Sequence, residues 1–460
     1  MFSVFPRLQG DDGEKIMQKK IVLIGAGSST FGFGVLGDIF RSEILPGCTI
    51  VLHDINAERL NSVKRVGAQY LQDHSLPYGL TATTSREEAL QGADFCIISI
   101  EVGDRFVLWE QDWRIPQQYG NRQVYGENGG PGGLFHSLRI IPPILEVCAD
   151  IDRICPDAHV FSLSNPMSRI CLAVSRKYPD LKFTGLCHEI AHLPETLEAI
   201  LGRPFSEMDS KSGGLNHFTV LLEVKEKAGT KDLYPELRSN VLSYLETLPE
   251  LTDLLREWNN NAPKAQFKGR KWSDRHLIKA VFEKFGYLPV TVDSHFGEYI
   301  QWAQDLVDHW SIIDFYGWYK DWSYTHEAVI SPTGSEGHER VIPIIEGILT
   351  DSQHEELAVN LLNKGFIENL SKDVVVEVPA IIDKSGVHGI TLGAAPKGIS
   401  GLWNNQVPAH DLTVEAALNG SRELALQALL VDPTVDSLKG AEGMLDTILA
   451  LQKEYLGYIK

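Results

Sequence analysis

The chain has 460 residues, 43% of them hydrophobic, and a net charge of −19 from 61 acidic and 42 basic residues. That is ample for a packed core, and the length predicts two or three domains. No Lys/Arg-rich run stands out, which excludes nucleic acid as the expected partner, because phosphate binding needs basic surface.

Residues 1–18 carry acids and no long apolar run. They read as an extension rather than a signal peptide, and no stretch is long and apolar enough to span a bilayer. With an acidic balance typical of soluble cytosolic proteins, this predicts a cytoplasmic protein with no membrane partner. The first strand is the β-branched run Ile21–Ile24, followed by a Gly-rich turn and a helix-like stretch to Arg41. "CTIVLHDIN" reads as a second buried strand ending at Asp54, "AERLNSVKRVGAQYLQDH" as helix and "GLTATTS" as a third strand. "EEALQGADFCIISI" and "RIIPPILEVCADIDRICPDAHVFSLSNP" each repeat helix then strand. Such short alternating units predict an α/β fold with a Rossmann-like, doubly wound parallel sheet over residues 19–190.

After Pro166 the pattern changes. Helices lengthen, and strands such as "HFTVLLEV" and "DVVVEVPAII" stand between them. The segments "TVEAALNGSRELALQALLVDP" and "AEGMLDTILALQKEYL" are helical by periodicity. Residues 191–460 are therefore expected to form a C-terminal mixed α+β domain packed on the first, with the active site at the junction.

The turn Gly25-Ala26-Gly27-Ser28-Ser29-Thr30 matches the first part of a dinucleotide fingerprint and lacks its third glycine. Gly25 allows the tight turn, and Gly27 lets the backbone approach a pyrophosphate at the following helix N-terminus. Asp54, closing the second strand, is placed to accept from the ribose hydroxyls of NAD and to disfavour NADP. A tight turn without a ligand is the plainer alternative.

Asn165, in "SLSNPMS" after a predicted strand, is expected at the nicotinamide end, although Asn-Pro is also an ordinary turn. The six cysteines form no CxxC pair and read as reduced thiols, most of them core residues. Cys187 in "TGLCHEIAH" and His217 in "GGLNHFTV" lie well apart in sequence. A thiolate and an imidazole suit a borderline divalent metal, and two protein ligands leave positions open for substrate. Cys187 paired with His188 as a nucleophile is the alternative, made awkward by the opposite directions of adjacent side chains on a strand.

Taken together, "KIVLIGAGSSTF", "VLHDI", "GENGGPGGLFHSLR", "SNPMS", "GLCHEI", "GLNHF", "GYLPVTVDSHFGEY" and "VVVEVPAII" resemble glycoside hydrolase family 4 from about Lys20 onward. The resemblance implies a glycosidase that uses NAD and a divalent metal, usually manganese, outside the two-carboxylate mechanism. It implies Cys187 and His217 as metal ligands, Asn165 at both substrate and cofactor, and Asp293 as base, with Tyr287 the competing base. It places His188 at the leaving group, and Glu189 and His295 at the substrate. In the implied reaction a hydride leaves sugar C3 for NAD, the C2 proton becomes acidic, elimination expels the C1 group, water adds and the hydride returns.

Cys187-His188-Glu189-Ile190, with Gly130–Gly133 and the residues around Asp293, looks like the subgroup that includes α-galacturonidases. An α-galacturonide is thus the expected substrate, with α-glucosidase, α-galactosidase and α-glucuronidase as rivals inside the family. A uronate needs a cation, and Arg105, Arg122, Arg139 and the segment Lys268–Trp272 are the candidates. A homodimer or homotetramer is expected. A malate- or lactate-type dehydrogenase and a non-catalytic NAD sensor are the readings from other classes.

Overall fold

The computed structural model describes residues 19–248, 275–325 and 340–460. The N-terminal extension and the Lys268–Trp272 segment lie outside the described residues. One eleven-stranded sheet runs through the chain. Its strands are β1 (Lys20–Ile24), β2 (Thr49–His53), β3 (Gly79–Thr83), β4 (Phe95–Ile98), β5 (His159–Ser162), β6 (Lys182–Gly185), β7 (Met208–Leu215), β8 (Phe218–Glu226), β9 (His354–Leu362), β10 (Val375–Asp383) and β11 (Gly386–Gly389). Their order is β3-β2-β1-β4-β5-β6-β9-β10-β7-β8, with β11 beside β10.

The first six strands pair in parallel. Successive residues of β1 feed opposite faces, as a sheet covered on both sides requires. Ile21 and Leu23 pack with Val35, Leu36 and Ile39 of the helix Ser29–Arg41. Val22 and Ile24 pack with Leu138 and Ile141 of the helix Gly130–Ile154. The strand order reverses between β1 and β4, which opens a crevice at their carboxyl ends where ligands bind in such folds. The α/β, Rossmann-like reading of the first half therefore holds.

The second half continues the same sheet and surrounds it with helices. β9 joins β6 antiparallel through the pair Gly185 and Asn360, and β10 meets β7 at Glu377 and Gly214. β7 and β8 form a hairpin whose last pair, Leu215 and Phe218, leaves Asn216 and His217 as the turn. The run "HFTVLLEV" lies largely in β8, and "VVVEVPAII" is held by β10. β7 (MDSKSGGL) and β9 (HEELAVNLL) escape the sequence reading, because glycines, serines and acids replace the apolar alternation that marks a strand. No described helix is long and apolar enough to cross a membrane.

Candidate active site

At the carboxyl end of β1, the N–H groups of Gly25 and Ala26 both donate to the His53 carbonyl, at 2.9 and 3.0 Å. Gly25 has φ of +89°, and a Cβ there would lie 2.0 Å from the Ser99 carbonyl oxygen, so only glycine fits. The Gly27 N–H donates to Asp54 Oδ2 at 2.8 Å, while Oδ1 accepts from the Asn56 N–H at 2.8 Å. Asp54 thus braces the turn from the end of the neighbouring strand. Ser28 caps the next helix, its hydroxyl accepting from the Phe31 N–H at 3.3 Å, and Ser29 is that helix's first residue. The third glycine is absent at its usual position, which Thr30 occupies. A Cβ on Gly32 would stand 2.3 Å from the Ala26 carbonyl oxygen, so Gly32 supplies the close helix-to-turn approach two positions later than the usual spacing.

Asn165 and Cys187 follow the adjacent strands β5 and β6. The Leu186 N–H extends the pairing by donating to the Ser162 carbonyl at 3.0 Å. Asn165 Oδ1 is buried without a hydrogen-bond partner. His217 holds φ of +63°, a left-handed conformation that is uncommon for a non-glycine residue. This turn brings its Nε2 to 3.2 Å from Cys187 Sγ, so residues far apart in sequence meet. Burial, with His295 adding to it, pushes the His217 imidazole down to about 3, which keeps it neutral. Burial, reinforced by Glu377 and Glu189, raises the Cys187 thiol.

The two donors suit a divalent metal. The imidazole is neutral, the sulfur is soft, and Asn165 Oδ1 nearby in the fold is an orphaned polar atom. Metal entry would release the thiol proton. Among the described residues no third His, Cys, Asp or Glu completes a cluster, which leaves positions for substrate oxygens. The other five cysteines are free and buried.

The His295 ring lies 4.3 Å, centroid to centroid, from that of His217. Three carboxylates surround it. Glu298 Oε2 and Glu127 Oε2 are 3.6 and 3.8 Å from Nδ1, and Glu189 Oε1 is 4.0 Å from Nε2. Burial opposes protonation of His295, but these carboxylates outweigh it and raise its pKa to about 9. Glu189 is held by a hydrogen bond from the Thr291 hydroxyl. Burial would raise its carboxyl, yet His295 and His217 bring it down to about 2. His188 is exposed beside Cys187.

Asp293, the base that the resemblance implies, opens the short helix Asp293–Phe296. It is fully buried, and both carboxylate oxygens are committed, Oδ2 to the Leu277 N–H at 2.8 Å and Oδ1 to the Ile278 N–H at 3.0 Å. These are orphan donors of the helix His276–Phe285, so Asp293 caps that helix from a distance in sequence. Tyr287, the competing base, packs its ring against Tyr234 and beneath the Arg238 guanidinium.

Residues 20–203 match the model of the family 4 glycosyl hydrolases, and residues 212–435 match the family's C-terminal domain. The chain belongs to glycosyl hydrolase family 4. It is 49% identical to an α-glucosidase of Erwinia rhapontici over 96% of this chain and 100% of that protein. It is 28% identical to an α-galacturonidase of Thermoanaerobacter italicus over 97% of this chain and 99% of the relative. A 6-phospho-α-glucosidase from gut microorganisms, solved with NAD and Mn2+, superposes with a TM-score of 0.77 at 22% identity, covering 95% of this chain and 98% of that one. The malate- or lactate-type dehydrogenase reading falls with the family match.

Glu127, Asn128, Glu101 and His136, which join Arg105 beside His295, were not singled out from sequence. Glu127 and Asn128 lie in "GENGGPGG", and their N–H groups donate to Glu298 Oε1 at 2.5 and 3.0 Å. Asn128 buries both amide atoms without a partner. Arg105 pairs with Glu127 and lies 3.7 Å from Glu101, while His136 bridges Glu101 at 3.2 Å and the Glu127 carbonyl at 3.0 Å. The available signal was an acid and an amide set among glycines, a pattern with no purpose in a plain turn.

Proposed function

We propose that this chain hydrolyses neutral α-glucosides, not α-galacturonides, with NAD and a divalent metal, manganese being the first candidate. The observation that carries the substrate class is the charge around the Cys187–His217 pair. Glu127 and Glu189, both held below the usual carboxylate range, face His295, so a uronate or phosphate would meet like charge. Among the described residues, the candidate arginines are already matched. Arg105 pairs with Glu127, Arg139 with Asp112 at 2.6 Å, and Arg122 with Asp305 at 3.3 Å on the surface. Identity of 49% to the α-glucosidase, against 28% to the α-galacturonidase, points the same way.

When bound, NAD would exchange a hydride with sugar C3, and the metal would polarise the neighbouring sugar oxygens. The chain's own residues do the rest. Gly25, Gly27, Ser28 and Ser29 form the pyrophosphate turn, and Asp54 has oxygens at hand for the ribose. Asn165, at the carboxyl edge between turn and metal pair, orients the sugar through its unpartnered Oδ1. His295, carrying a proton, donates to a sugar hydroxyl. Glu189, ionised beside His295, is assigned the C2 proton in this reading. His188, exposed beside Cys187, protonates the departing glycosidic oxygen. A homodimer or homotetramer is the assembly proposed. The cytoplasm remains the compartment proposed.

The test is a panel of nitrophenyl α-glucoside, α-galactoside, α-galacturonide and α-glucuronide with NAD and Mn2+, run in light and deuterated water. The α-glucoside should give the highest kcat/KM, and the released sugar should carry deuterium at C2. Preference for a uronide would overturn the substrate assignment. A product without deuterium at C2 would sink the elimination route, and activity on none of the panel would favour the sensor reading.

A further inference from the structure

A single row of paired residues crosses the sheet beneath the site. Ile24 pairs with Ile98, Ile98 with Ser162, Ser162 with Gly185, Gly185 with Asn360, Asn360 with Glu377, Glu377 with Gly214, and Gly214 with Thr219. At one end the chain leaves Ile24 into the glycine turn. Toward the other, Cys187 lies two residues past Gly185 and His217 two residues before Thr219. Asn360 and Glu377 are the row's interior polar pair, flanked by Gly185 and Gly214.

Glu377 is 3% exposed. Its Oε2 accepts from Asn216 Nδ2 at 2.7 Å and from Asn360 Nδ2 at 3.0 Å, and its Oε1 accepts from the Thr219 hydroxyl at 2.8 Å. Asn216 and Thr219 bracket His217 on the β7–β8 turn. A buried carboxylate is costly unless its acceptors are filled, and here the filling groups are those that fix the turn. Other contacts also hold the turn: the Asn216 side chain hydrogen-bonds Cys187, and the Val290 N–H donates to the Thr219 carbonyl at 3.0 Å. The Asn216 N–H reaches the Ser168 hydroxyl at 3.3 Å, the Tyr299 hydroxyl donates to the Asn216 carbonyl at 3.3 Å, and Trp403 Nε1 donates to the Phe218 carbonyl at 2.7 Å.

We infer that Glu377 is a positioning residue for the metal pair. It clamps Asn216 and Thr219 so that His217 keeps its left-handed backbone and presents Nε2 to Cys187. This rests on the reading of Cys187 and His217 as metal ligands. Residues one step behind metal ligands typically contribute about 10–100-fold to metal affinity. What Glu377 supplies here is geometry, because its amide isostere can meet the same partners. In Glu377→Gln the carbonyl oxygen would keep both asparagine donors. The new N–H would donate to the Thr219 hydroxyl, which can turn to the Leu215 carbonyl it already approaches at 3.1 Å.

The experiment is titration of metal-free full-length protein with Mn2+ alone, following the loss of the free-ion EPR signal. Wild type should bind, and Cys187→Ser should not. Glu377→Ala should bind about 10–100-fold more weakly, with NAD affinity unchanged, and Glu377→Gln should restore binding to within a few-fold of wild type. Should Glu377→Ala fail to fold, Asn216→Ala cuts the link between the carboxylate and the turn, and it should weaken Mn2+ about tenfold. Wild-type Mn2+ affinity in folded Glu377→Ala, or in Asn216→Ala, overturns the inference while leaving the metal reading intact. Glu377→Gln as weak as Glu377→Ala also overturns it, because geometry would then not be what the residue supplies. If wild type and Cys187→Ser behave alike, the metal reading itself fails.

Discussion

Asp293 offers the sharpest test, because two roles assign it opposite consequences. As a cap it satisfies two backbone N–H groups, at 2.8 and 3.0 Å, in a fully buried setting. Replacing it by alanine strands both amides, and each unsatisfied buried donor costs about 1–3 kcal/mol. Asp293→Ala should therefore lose about 2–5 kcal/mol, the upper end of what a lost cap and its desolvated amides would give. Asp293→Asn keeps one good acceptor and turns an NH2 toward the other amide, so about 1–3 kcal/mol is expected. Urea unfolding followed by tryptophan fluorescence reads the change, with the slope checked so that a shifted midpoint means stability. Under conditions where Asp293→Asn is folded, its kcat for the α-glucoside should stay within a few-fold of wild type, and C2 deuterium incorporation should persist. A positioned base contributes about 10²–10⁴-fold. An Asp293→Asn protein of wild-type stability that had lost at least a hundredfold in kcat, along with C2 exchange, would refute the cap reading and restore Asp293 as base.

Glu189→Gln should lower kcat by about 10²–10⁴-fold if it receives the C2 proton. The loss should appear equally in C2 exchange, and exchange at the wild-type rate would remove it from that role. Cys187→Ser, or exhaustive chelation of the wild type, should abolish hydrolysis while NAD still binds, as fluorescence titration would show. Gly32→Ala drives a methyl group to 2.3 Å from the Ala26 carbonyl. It should destabilise by about 1–3 kcal/mol as an overpacking change and weaken NAD binding; an unchanged NAD affinity would argue against its place in the turn. Burial, helped by Lys182 and Lys19, lowers His159 to about 4. The folded state therefore takes up a proton less readily than the unfolded chain, whose histidine titrates near 6.5. Its contribution is complete above about pH 6.5 and is lost as pH falls toward 4. His159→Gln should flatten the decline of the urea midpoint across that window.

The nucleotide half was legible because its cues are local. β-branched runs, a glycine turn and a strand-ending acid follow one another within about thirty-five residues of sequence, and each pairs with its sequence neighbour. Cys187 and His217 were legible as donors of the right kind, through the resemblance. Their 3.2 Å approach depends on a hairpin turn and on β7, a strand whose glycines and serines hide it. The capping contacts of Asp293 were not legible, because sequence near a motif does not say which way a carboxylate points. Here it turns away to cap a helix that begins at His276. Gly32 was missed because a fingerprint counts positions, whereas the structure requires only that some glycine lie where the helix passes over Ala26. Glu377 carried a signal that went unused as chemistry, a single acid inside "VVVEVPAII".

The strand order β6-β9-β10-β7-β8 has a consequence for how the chain comes to be active. β7 and β8 are made before the two strands that separate them from β6, and their hairpin can close on local contacts alone. Cys187 ends β6 and His217 sits in that hairpin, so both donors exist once residue 217 has been laid down. They share a sheet only when residues 354–383 return and insert between them, a distant pairing of the kind that slows folding. A chain halted before β9 would carry every donor of the site and still hold no site, so catalytic competence is among the last things this fold acquires.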